Sequence, residues 1–364
     1  MFMSGLGKID PNFRVDDSIK NLDLVYYDVR KADVDIYGLY NPREGELFVR
    51  MPQDVAAEVS SNTAELNVHP TGGRIRFRTD SRHVAVHVVY KTPYEVVPHI
   101  TKAAGCGMDM YCYENGVQIY RGSLLPKGAS GDRYTALGKF AEARKMRDVV
   151  LNMPMFHQVA ELYIGLDTDA VLERGGTYRF KKPVVIYGSS IVHGGCADRP
   201  GNCYPAMVSR MLDCDYVNLG FSGSARGEQR MAEYIGTLDA SVIILDYDYN
   251  APTVEHLRKT HEPFYQTVRR LKPDTPIILM SMVKVPRHEA MRREIYARRE
   301  AIQQTYQNAL AAGDQNIYFI DGQNVFVTYG GNTCSVDGIH PNTLGFWAMA
   351  NAVSNVLKPL LEKA

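Results

Sequence analysis

The sequence predicts an α/β protein in which an all-β sandwich or jelly-roll domain precedes a three-layer α/β/α domain with a parallel sheet. Two observations carry this prediction. From about residue 20 to 180, short runs alternate apolar and polar side chains, which is the period of strands with one solvated face. After residue 181, short wholly apolar runs alternate with helical stretches, as in parallel sheets covered by helices on both faces. We therefore predict domains at residues 1–180 and 181–364.

The composition is that of a globular protein with about two domains, because 364 residues exceed one ordinary core. The 41 basic and 41 acidic side chains cancel, so nothing indicates a nucleic-acid or acidic-membrane partner. No apolar run approaches the ~20 residues that span a bilayer, and the chain start lacks a basic segment followed by an apolar one. We expect a cytoplasmic protein, or an exported one whose signal peptide was removed; the oligomeric state stays open.

The predicted strands of the first half follow one another with turn signals between them. Alternation is clearest in residues 74–78 and 83–90. Residues 108–113 and 117–120 flank Glu114-Asn115-Gly116, and because Asn-Gly accepts positive φ, this pattern predicts a hairpin. Further strands are expected at residues 148–155, 159–167 and 177–180.

The cysteines and histidines indicate neither a disulfide framework nor a metal site. The six cysteines lack CxxC spacing, so we expect reduced, mostly buried thiols, although Cys196 and Cys203 could pair across a short loop. His83 and His87 share one face of a strand, but two histidines are too few for a metal site, and polarity of that face is the simpler explanation. We predict no metal and no organic cofactor.

In the second half, predicted strands and helices alternate. Strands are expected at residues 184–188, 216–220, 241–246, 277–280 and 317–320. Helices are expected at residues 204–212, 225–235, 253–271, 288–312 and from about Asn342. In such a fold, the loops after the carboxyl ends of the strands face one crevice, where α/β proteins place their ligands. Functional residues are therefore expected at these strand ends.

A tight turn with two serines, Gly188-Ser189-Ser190, follows the first of these strands. A hydroxyl at this position suits a nucleophile, although an apolar strand followed by Gly-Ser is also common in plain connections. A nucleophilic serine needs a base, a group that orients the base, and donors for the oxyanion. The second half of the chain offers a candidate for each.

The candidate base is His340, in a Gly-containing loop between the last strand and the last helix. Asp337, three residues earlier, can reach the other ring nitrogen within one turn, where it would fix the tautomer and stabilise the imidazolium. An Asp helix cap followed by a hydrogen-bonded His would give the same pattern.

Oxyanion donors are expected at two further strand ends. Residues 218–225 run from a strand into a Gly-rich turn around Gly223. Backbone N–H groups in such a turn suit an oxyanion or a phosphate, but the turn could equally be structural. Asn250 follows the next strand, and its side-chain amide is either a third donor or the cap of the following helix.

Taken in order, Gly-x-Ser, Asn-x-Gly-x-x-Gly, an Asn after the next strand and a C-terminal Asp-x-x-His resemble the four sequence blocks of the SGNH, or GDSL-type, hydrolase superfamily. The resemblance covers residues 184–360 and implies a flavodoxin-like α/β/α domain. In it, Ser190 would be the nucleophile, His340 the base and Asp337 its orienting acid. The oxyanion hole would consist of the Ser190 and Gly223 backbone N–H groups and the Asn250 side-chain amide.

The chain departs from the family pattern at two places and shares a feature with one subgroup. Ser189 stands where many members have Asp, and residues 248–251 lack the usual Gly and final Asp of the third block. The sandwich ahead of the hydrolase-like half resembles the two-domain bacterial subgroup, in which a jelly-roll-like module precedes the esterase domain. Residues 33–40 are similar to a short Asp-Leu-Tyr-type signature of that subgroup.

This resemblance implies a serine esterase that releases short acyl groups, above all acetyl, from a carbohydrate or small-molecule ester. The alternatives are a lipid- or thioester-directed hydrolase of the same type, and a non-catalytic carbohydrate-binding protein with a degraded hydrolase domain. His193 is expected to shape the loop after Ser190, and Arg226 to be solvated rather than to bind an anionic substrate. The charged residues 288–299 are expected to form an exposed helix face.

Overall fold

The computed structural model describes residues 22–140 and 143–363. Its strands are β1 Leu24–Asp28, β2 Asp35–Tyr37, β3 Arg74–Thr79, β4 His83–Glu95, β5 Met108–Glu114, β6 Val117–Leu124, β7 Ser130–Lys139, β8 Arg147–Asn152, β9 Val159–Asp167, β10 Glu173–Arg174, β11 Phe180–Gly188, β12 Cys214–Gly220, β13 Val242–Asp246, β14 Ile277–Met280 and β15 Ile317–Ile320. Its α-helices are α1 Gln53–Val59, α2 Ser61–Asn67, α3 Lys102–Gly105, α4 Ser190–His193, α5 Tyr204–Leu212, α6 Gln229–Thr237, α7 Val254–Leu271, α8 Glu289–Ala311 and α9 Thr343–Leu361.

The chain divides into two compact units. Of the described residues, the first contains 22–50, 68–140, 143–177 and the short segment Asp198–Gly201, and the second contains Met51–Asn67, Tyr178–Ala197 and 202–363. Relative to the predicted boundary at residue 181, residues 51–67 and 178–180 belong to the second unit and residues 198–201 belong to the first. The reason for the first exchange is burial, because Met51 and Ala56 are part of the apolar core of the second unit.

The first unit is a sandwich of two antiparallel sheets. One has the strand order β1-β9-β4-β7, and the other has the order β10-β3-β8-β5-β6 with β2 paired to β3. Val86 and Ile164 of the first sheet share one apolar core with Phe77 and Val149 of the second. Alternate residues of each strand thus point inward, as the period-two pattern predicts.

The hairpin predicted around Asn115-Gly116 is confirmed. Strands β5 and β6 pair antiparallel from Glu114↔Val117 onward. Asn115 and Gly116 have φ values of 52° and 79°, which are the two positive φ angles of a type I′ turn.

The second unit is built on one parallel sheet with the order β12-β11-β13-β14-β15. This is the 2-1-3-4-5 order of flavodoxin-like folds, in which the switch point lies beside the first strand. Every residue of β13 and β14 is buried, as expected for strands covered on both faces. The predicted fold class, a three-layer α/β/α domain with an antiparallel sandwich before it, is confirmed.

Two helical features differ from the predictions. Helices α1 and α2 interrupt the part of the chain that reads as strands, and α6 begins at Gln229 rather than at Ala225. The later start of α6 has a local cause, since Gly223 and Gly227 both adopt positive φ and the chain remains a turn between them.

All six cysteines are buried, as predicted, and the reduced state of their thiols stays a prediction. Among the helices of the described ranges, none combines the length and the apolarity needed to cross a membrane.

Candidate active site

The nucleophile candidate sits where β11 passes into the short helix α4. Ser189 is the N-cap of this helix: its hydroxyl accepts a hydrogen bond from the Ile191 N–H at 3.2 Å, and its side chain is buried. Ser190 is the first helical residue and is half-buried. Because the cap occupies Ser189, the hydroxyl at the strand end that remains available is that of Ser190.

Close packing under this helix requires a glycine in the neighbouring strand. A Cβ atom on Gly220, at the end of β12, would lie 2.1 Å from the backbone nitrogen of His193. Any side chain there would push α4 away from the sheet. Gly220 therefore fixes how deeply the helix that starts at Ser190 is seated.

The structure brings Ser190, His340 and Asp337 together in one hydrogen-bonded chain. Ser190 Oγ lies 2.9 Å from His340 Nε2, and His340 Nδ1 lies 2.7 Å from Asp337 Oδ2. The alternative of an Asp helix cap does not hold, because the N-cap of α9 is Asn342, whose side chain accepts from the Gly345 N–H at 3.1 Å. The geometry is that of a serine, a base and an acid that orients the base.

Asp337 is held as a carboxylate by its hydrogen bonds. Its Oδ1 accepts from the backbone N–H groups of Ile339 and His340, at 2.9 and 2.8 Å. Partial burial alone would raise the pKa of Asp337, but the His340 side chain and these two N–H groups outweigh it and lower the pKa to about 2. An ionised Asp337 favours the tautomer with hydrogen on Nδ1, which leaves Nε2 free to accept the Ser190 proton.

The Gly-rich turn after β12 is tied to both the nucleophile's strand and its helix. The Phe221 N–H donates to the Gly188 carbonyl at 2.8 Å, and the Ser222 hydroxyl lies 3.0 Å from Nδ1 of the buried His193. Gly223 has a φ of +70°, and a Cβ atom built on it would meet nothing within 4 Å. The turn therefore presents Gly223 to open space, and His193 has the structural role expected for it.

Asn250 lies against the same turn. Its Nδ2 donates to the Phe221 carbonyl at 3.2 Å. It does not cap the following helix, because the N-cap of α7 is Thr253, which accepts from the His256 N–H at 3.1 Å. Within residues 22–140 and 143–363, the backbone N–H groups of Ser190 and Gly223 donate to no acceptor. All three predicted oxyanion donors are thus at the carboxyl ends of β11, β12 and β13.

A buried arginine that sequence analysis missed clamps the turn that carries Asn250. Arg298 Nη1 donates to the carbonyl oxygens of Asp248 and Ala251, at 2.7 and 2.9 Å, and Glu294 accepts from its other nitrogens. Its side chain is only 6% exposed, so the prediction of an exposed helix face was wrong at this residue. A signal existed, since Arg298 lies three residues after Ile295 and on the same buried stripe of α8.

Two carboxyl groups are buried beneath the site. Burial raises the pKa of Asp246 to about 8 and that of Asp248 to about 7. Asp246 accepts from the Tyr204 hydroxyl at 3.1 Å, and Asp248 accepts from the Met282 N–H at 3.0 Å. Burial therefore shifts both groups toward the protonated form, whereas the hydrogen bonds of Asp337 shift that carboxyl toward the ionised form.

The described residues contain no group of three His, Cys, Asp or Glu side chains placed to hold a metal ion. The predicted absence of a cofactor stays a prediction.

Two known families match the two halves of the chain. Residues 181–358 match the GDSL-like lipase/acylhydrolase family, and residues 24–172 match the family described as the N-terminus of SGNH-hydrolase-type esterases. The chain belongs to the SGNH/GDSL-type hydrolases. The predicted resemblance, including the module with its Asp-Leu-Tyr-type signature, is confirmed, and so is the prediction that the chain is a hydrolase.

Several solved structures share the fold of this chain. A protein described as a GDSL-like lipase from Bacteroides ovatus ATCC 8483 is 27% identical with a TM-score of 0.84, covering 93% of this chain and 98% of its own. The salicylyl-acyltransferase SsfX3 from a tetracycline biosynthetic pathway is 22% identical with a TM-score of 0.74, covering 93% and 97%. The acetyl xylan esterase Est2A from the rumen bacterium Butyrivibrio proteoclasticus is 13% identical with a TM-score of 0.58, covering 93% and 99%. No curated protein sequence matches the chain significantly.

Proposed function

We propose that this SGNH hydrolase is a serine esterase that cleaves short acyl esters, above all acetyl esters of carbohydrates or small molecules. The observation that carries the proposal is the chain of hydrogen bonds from Asp337 through His340 to Ser190, with lengths of 2.7 and 2.9 Å. Each member of that chain has the partner that nucleophilic catalysis by serine requires.

In the proposed first half-reaction, Ser190 Oγ attacks the ester carbonyl carbon while His340 Nε2 takes the hydroxyl proton. Asp337 stabilises the imidazolium that forms. The tetrahedral oxyanion accepts hydrogen bonds from the Ser190 and Gly223 backbone N–H groups and from the Asn250 amide. His340 then returns the proton to the leaving oxygen, the C–O bond breaks, and the alcohol departs from an acyl-enzyme.

In the second half-reaction, water replaces the alcohol. His340 takes a proton from the water as it attacks the acyl carbon, and the same donors hold the second oxyanion. Collapse of this intermediate breaks the bond to Ser190 Oγ, which regains its proton from His340. The carboxylic acid is released, and no cofactor enters either step.

The preference for acetyl esters of carbohydrates rests on relatives with the same fold. They include family two carbohydrate esterases from Clostridium thermocellum and Cellvibrio japonicus, at 13% identity and TM-scores of 0.55 and 0.59, as well as the acetyl xylan esterase. The same fold also serves an acyltransferase, in which an acyl group passes to an acceptor other than water. Because one fold serves both kinds of enzyme, rates measured with different esters and acceptors identify the substrate of this chain.

Replacing the nucleophile tests the proposal directly. Ser190→Ala should lower the hydrolysis of 4-nitrophenyl acetate by about 10³-fold or more, while circular dichroism and thermal unfolding match the parent protein. A fluorophosphonate probe should label the parent protein at Ser190 and leave the variant unlabelled. Retained hydrolysis in the folded variant would reject Ser190 as nucleophile, and no labelling of the folded parent protein would favour the non-catalytic alternative.

A further inference from the structure

The segment between β14 and α8 is held against the turn that carries Asn250. The backbone N–H of Met282 donates to Asp248 Oδ2 at 3.0 Å, and that of Val283 donates to the Tyr249 hydroxyl at 2.9 Å. From the other side, Gln323 Nε2 donates to the carbonyl of Lys284 at 3.2 Å. The backbone at Lys284 is therefore fixed beside the candidate active site.

This segment also packs against the loop that carries the base. A Cβ atom built on Gly338 would lie 3.1 Å from Arg287 Nη1 and 3.2 Å from its Cζ, so the guanidinium group rests on the residue that follows Asp337. Lys284 is half-buried and lies within electrostatic range of Asp337. Two positive charges thus flank the Asp337–His340 loop.

Neither cation forms an ion pair with an acid of the described residues. Among the described residues, no carboxylate lies within 4 Å of the Lys284 ammonium or of the Arg287 guanidinium. The acids nearby are already engaged, since Asp337 binds His340 and Glu294 binds Arg298. Burial lowers the pKa of Lys284, an effect that Arg287 and Arg298 increase and that Glu294 and Asp337 oppose. A bound anion would relieve the mutual repulsion of these cations.

The role of His340 in the proposed reaction determines which part of the substrate lies near its loop. His340 must lie within hydrogen-bond reach of the leaving oxygen in order to protonate it. The alcohol part of the ester therefore lies beside His340, and Arg287 packs on Gly338 in the loop that carries this base. The oxyanion donors Gly223 and Asn250 follow other strands and face the carbonyl oxygen instead.

We propose that Lys284 and Arg287 form a subsite for a carboxylate on the alcohol part of the substrate, so that the preferred substrate is an acetyl ester of an acidic alcohol, such as an acidic sugar. The inference rests on the proposed esterase function and specifies its substrate class. Electrostatic attraction of this kind acts on binding and on the encounter rate, and added salt screens it.

A pair of aryl acetates that differ in charge tests the subsite. The kcat/KM values for 4-acetoxybenzoate and its neutral methyl ester are measured in the parent protein, in Lys284→Met, in Arg287→Gln and in the double variant. The quantity compared across the variants is the ratio of kcat/KM for the anionic ester to kcat/KM for the neutral ester. The intrinsic reactivities of the two esters cancel in this comparison. The ratio should fall about threefold in each single variant and about tenfold in the double variant. It should also fall in the parent protein when the NaCl concentration is raised from about 20 to about 500 mM, because the Debye length then shortens from about 20 Å to about 4 Å.

Lys259→Met is the matched control, because Lys259 is exposed on α7 and should leave the ratio unchanged. Lys284→Arg should restore most of the preference, which separates loss of charge from a folding defect. An unchanged ratio in the double variant overturns the subsite even if both rates fall together. Failure of the parent protein to hydrolyse either ester in a Ser190-dependent manner rejects the esterase proposal itself, so the two failures are distinguishable.

Discussion

The two units each contain a serine, a histidine and an aspartate joined by hydrogen bonds, and in both the His Nδ1–Asp Oδ distance is 2.7 Å. In the first unit, the hydroxyl of the buried Ser81 bonds to Asp167 at 2.9 Å and to the His83 carbonyl at 2.6 Å. In the second unit, the serine hydroxyl lies on the far side of the imidazole, 2.9 Å from Nε2.

The difference is one of connectivity and not of residue type. In the first trio, the serine and the histidine both satisfy one acid, which also accepts the Arg82 N–H at 2.8 Å. Among the described residues, neither ring nitrogen of His83 bonds to the Ser81 hydroxyl, so the imidazole is not placed to take the serine's proton. In the second trio, the imidazole lies between hydroxyl and acid, as proton transfer requires. A Ser-His-Asp set therefore indicates catalysis only when the histidine is its middle member.

The largest expected effect that separates the two trios comes from replacing the histidines. His340→Gln removes the base and should lower kcat for 4-nitrophenyl acetate by about 10³-fold or more. His83→Gln removes one hydrogen bond to Asp167 and should lower the free energy of unfolding by about 1 kcal/mol without changing kcat. Steady-state kinetics and urea unfolding of both variants check this, and a comparable loss of kcat in the two variants would contradict the distinction.

The aspartates should separate in the same way, with a smaller effect on rate. Asp337→Asn allows the wrong His340 tautomer and should lower kcat by about 10²- to 10⁴-fold. Asp167→Asn should leave kcat of the folded protein intact and reduce stability by about 1–3 kcal/mol, since the carboxylate accepts from Ser81, Arg82 and His83. Circular dichroism melts and kinetics on the same preparations measure both quantities. Inactivation by Asp167→Asn at full stability would show that the first trio has a chemical role.

The parts of the fold and site that could be predicted from sequence are those encoded by neighbouring residues. Ser190 comes two residues after the apolar strand β11 and Asn250 four residues after β13, and Asp337 lies one turn before His340, so local pattern and motif order suffice to propose them. The clamp by Arg298 was missed because its partners, Asp248 and Ala251, lie 50 and 47 residues away.

Helices α1 and α2 escaped prediction for a related reason. Each has seven residues, which is too short to show a helical period or to be stable in isolation. Their burial is supplied by a core built mainly from residues more than a hundred positions later. Long-range contacts of this kind have no signature in the local sequence.

The third prediction concerns Asn250, which follows β13 in the sequence block where the chain departs from the family pattern. Asn250→Ala removes one oxyanion donor and should lower kcat by about 10²- to 10³-fold with a smaller change in KM. The Arg298 clamp should remain, because it holds the backbone carbonyl groups of Asp248 and Ala251. Steady-state kinetics on 4-nitrophenyl acetate measure the split, and a change confined to KM would mean that Asn250 binds substrate in the ground state instead.

The smallest expected effect concerns how stability depends on pH. Within the second unit, the buried Asp246 and Asp248 should affect it in the opposite sense to Asp337. Burial raises the pKa of Asp246 to about 8 and that of Asp248 to about 7. Between pH ~4, where an ordinary carboxyl ionises, and these values, the unfolded chain releases protons that the folded protein keeps. The free energy of unfolding should therefore fall as the pH rises through this window, by at most about 1.4 kcal/mol per pH unit for each group.

Replacing a buried carboxyl by its uncharged isostere should flatten this dependence. Asp246→Asn and Asp248→Asn each remove one titrating group, so the loss of stability between pH 5 and about pH 8 should shrink in each variant. Urea unfolding across that range measures the slope. Asp337 acts in the opposite sense, because its lowered pKa of about 2 supplies stability above the ordinary carboxyl pKa that is lost only as the pH falls toward that value. If the free energy of unfolding falls with pH equally steeply in the two Asn variants and in the parent protein, Asp246 and Asp248 are ionised in the folded protein. In that case the acids beneath the site carry the same charge as Asp337.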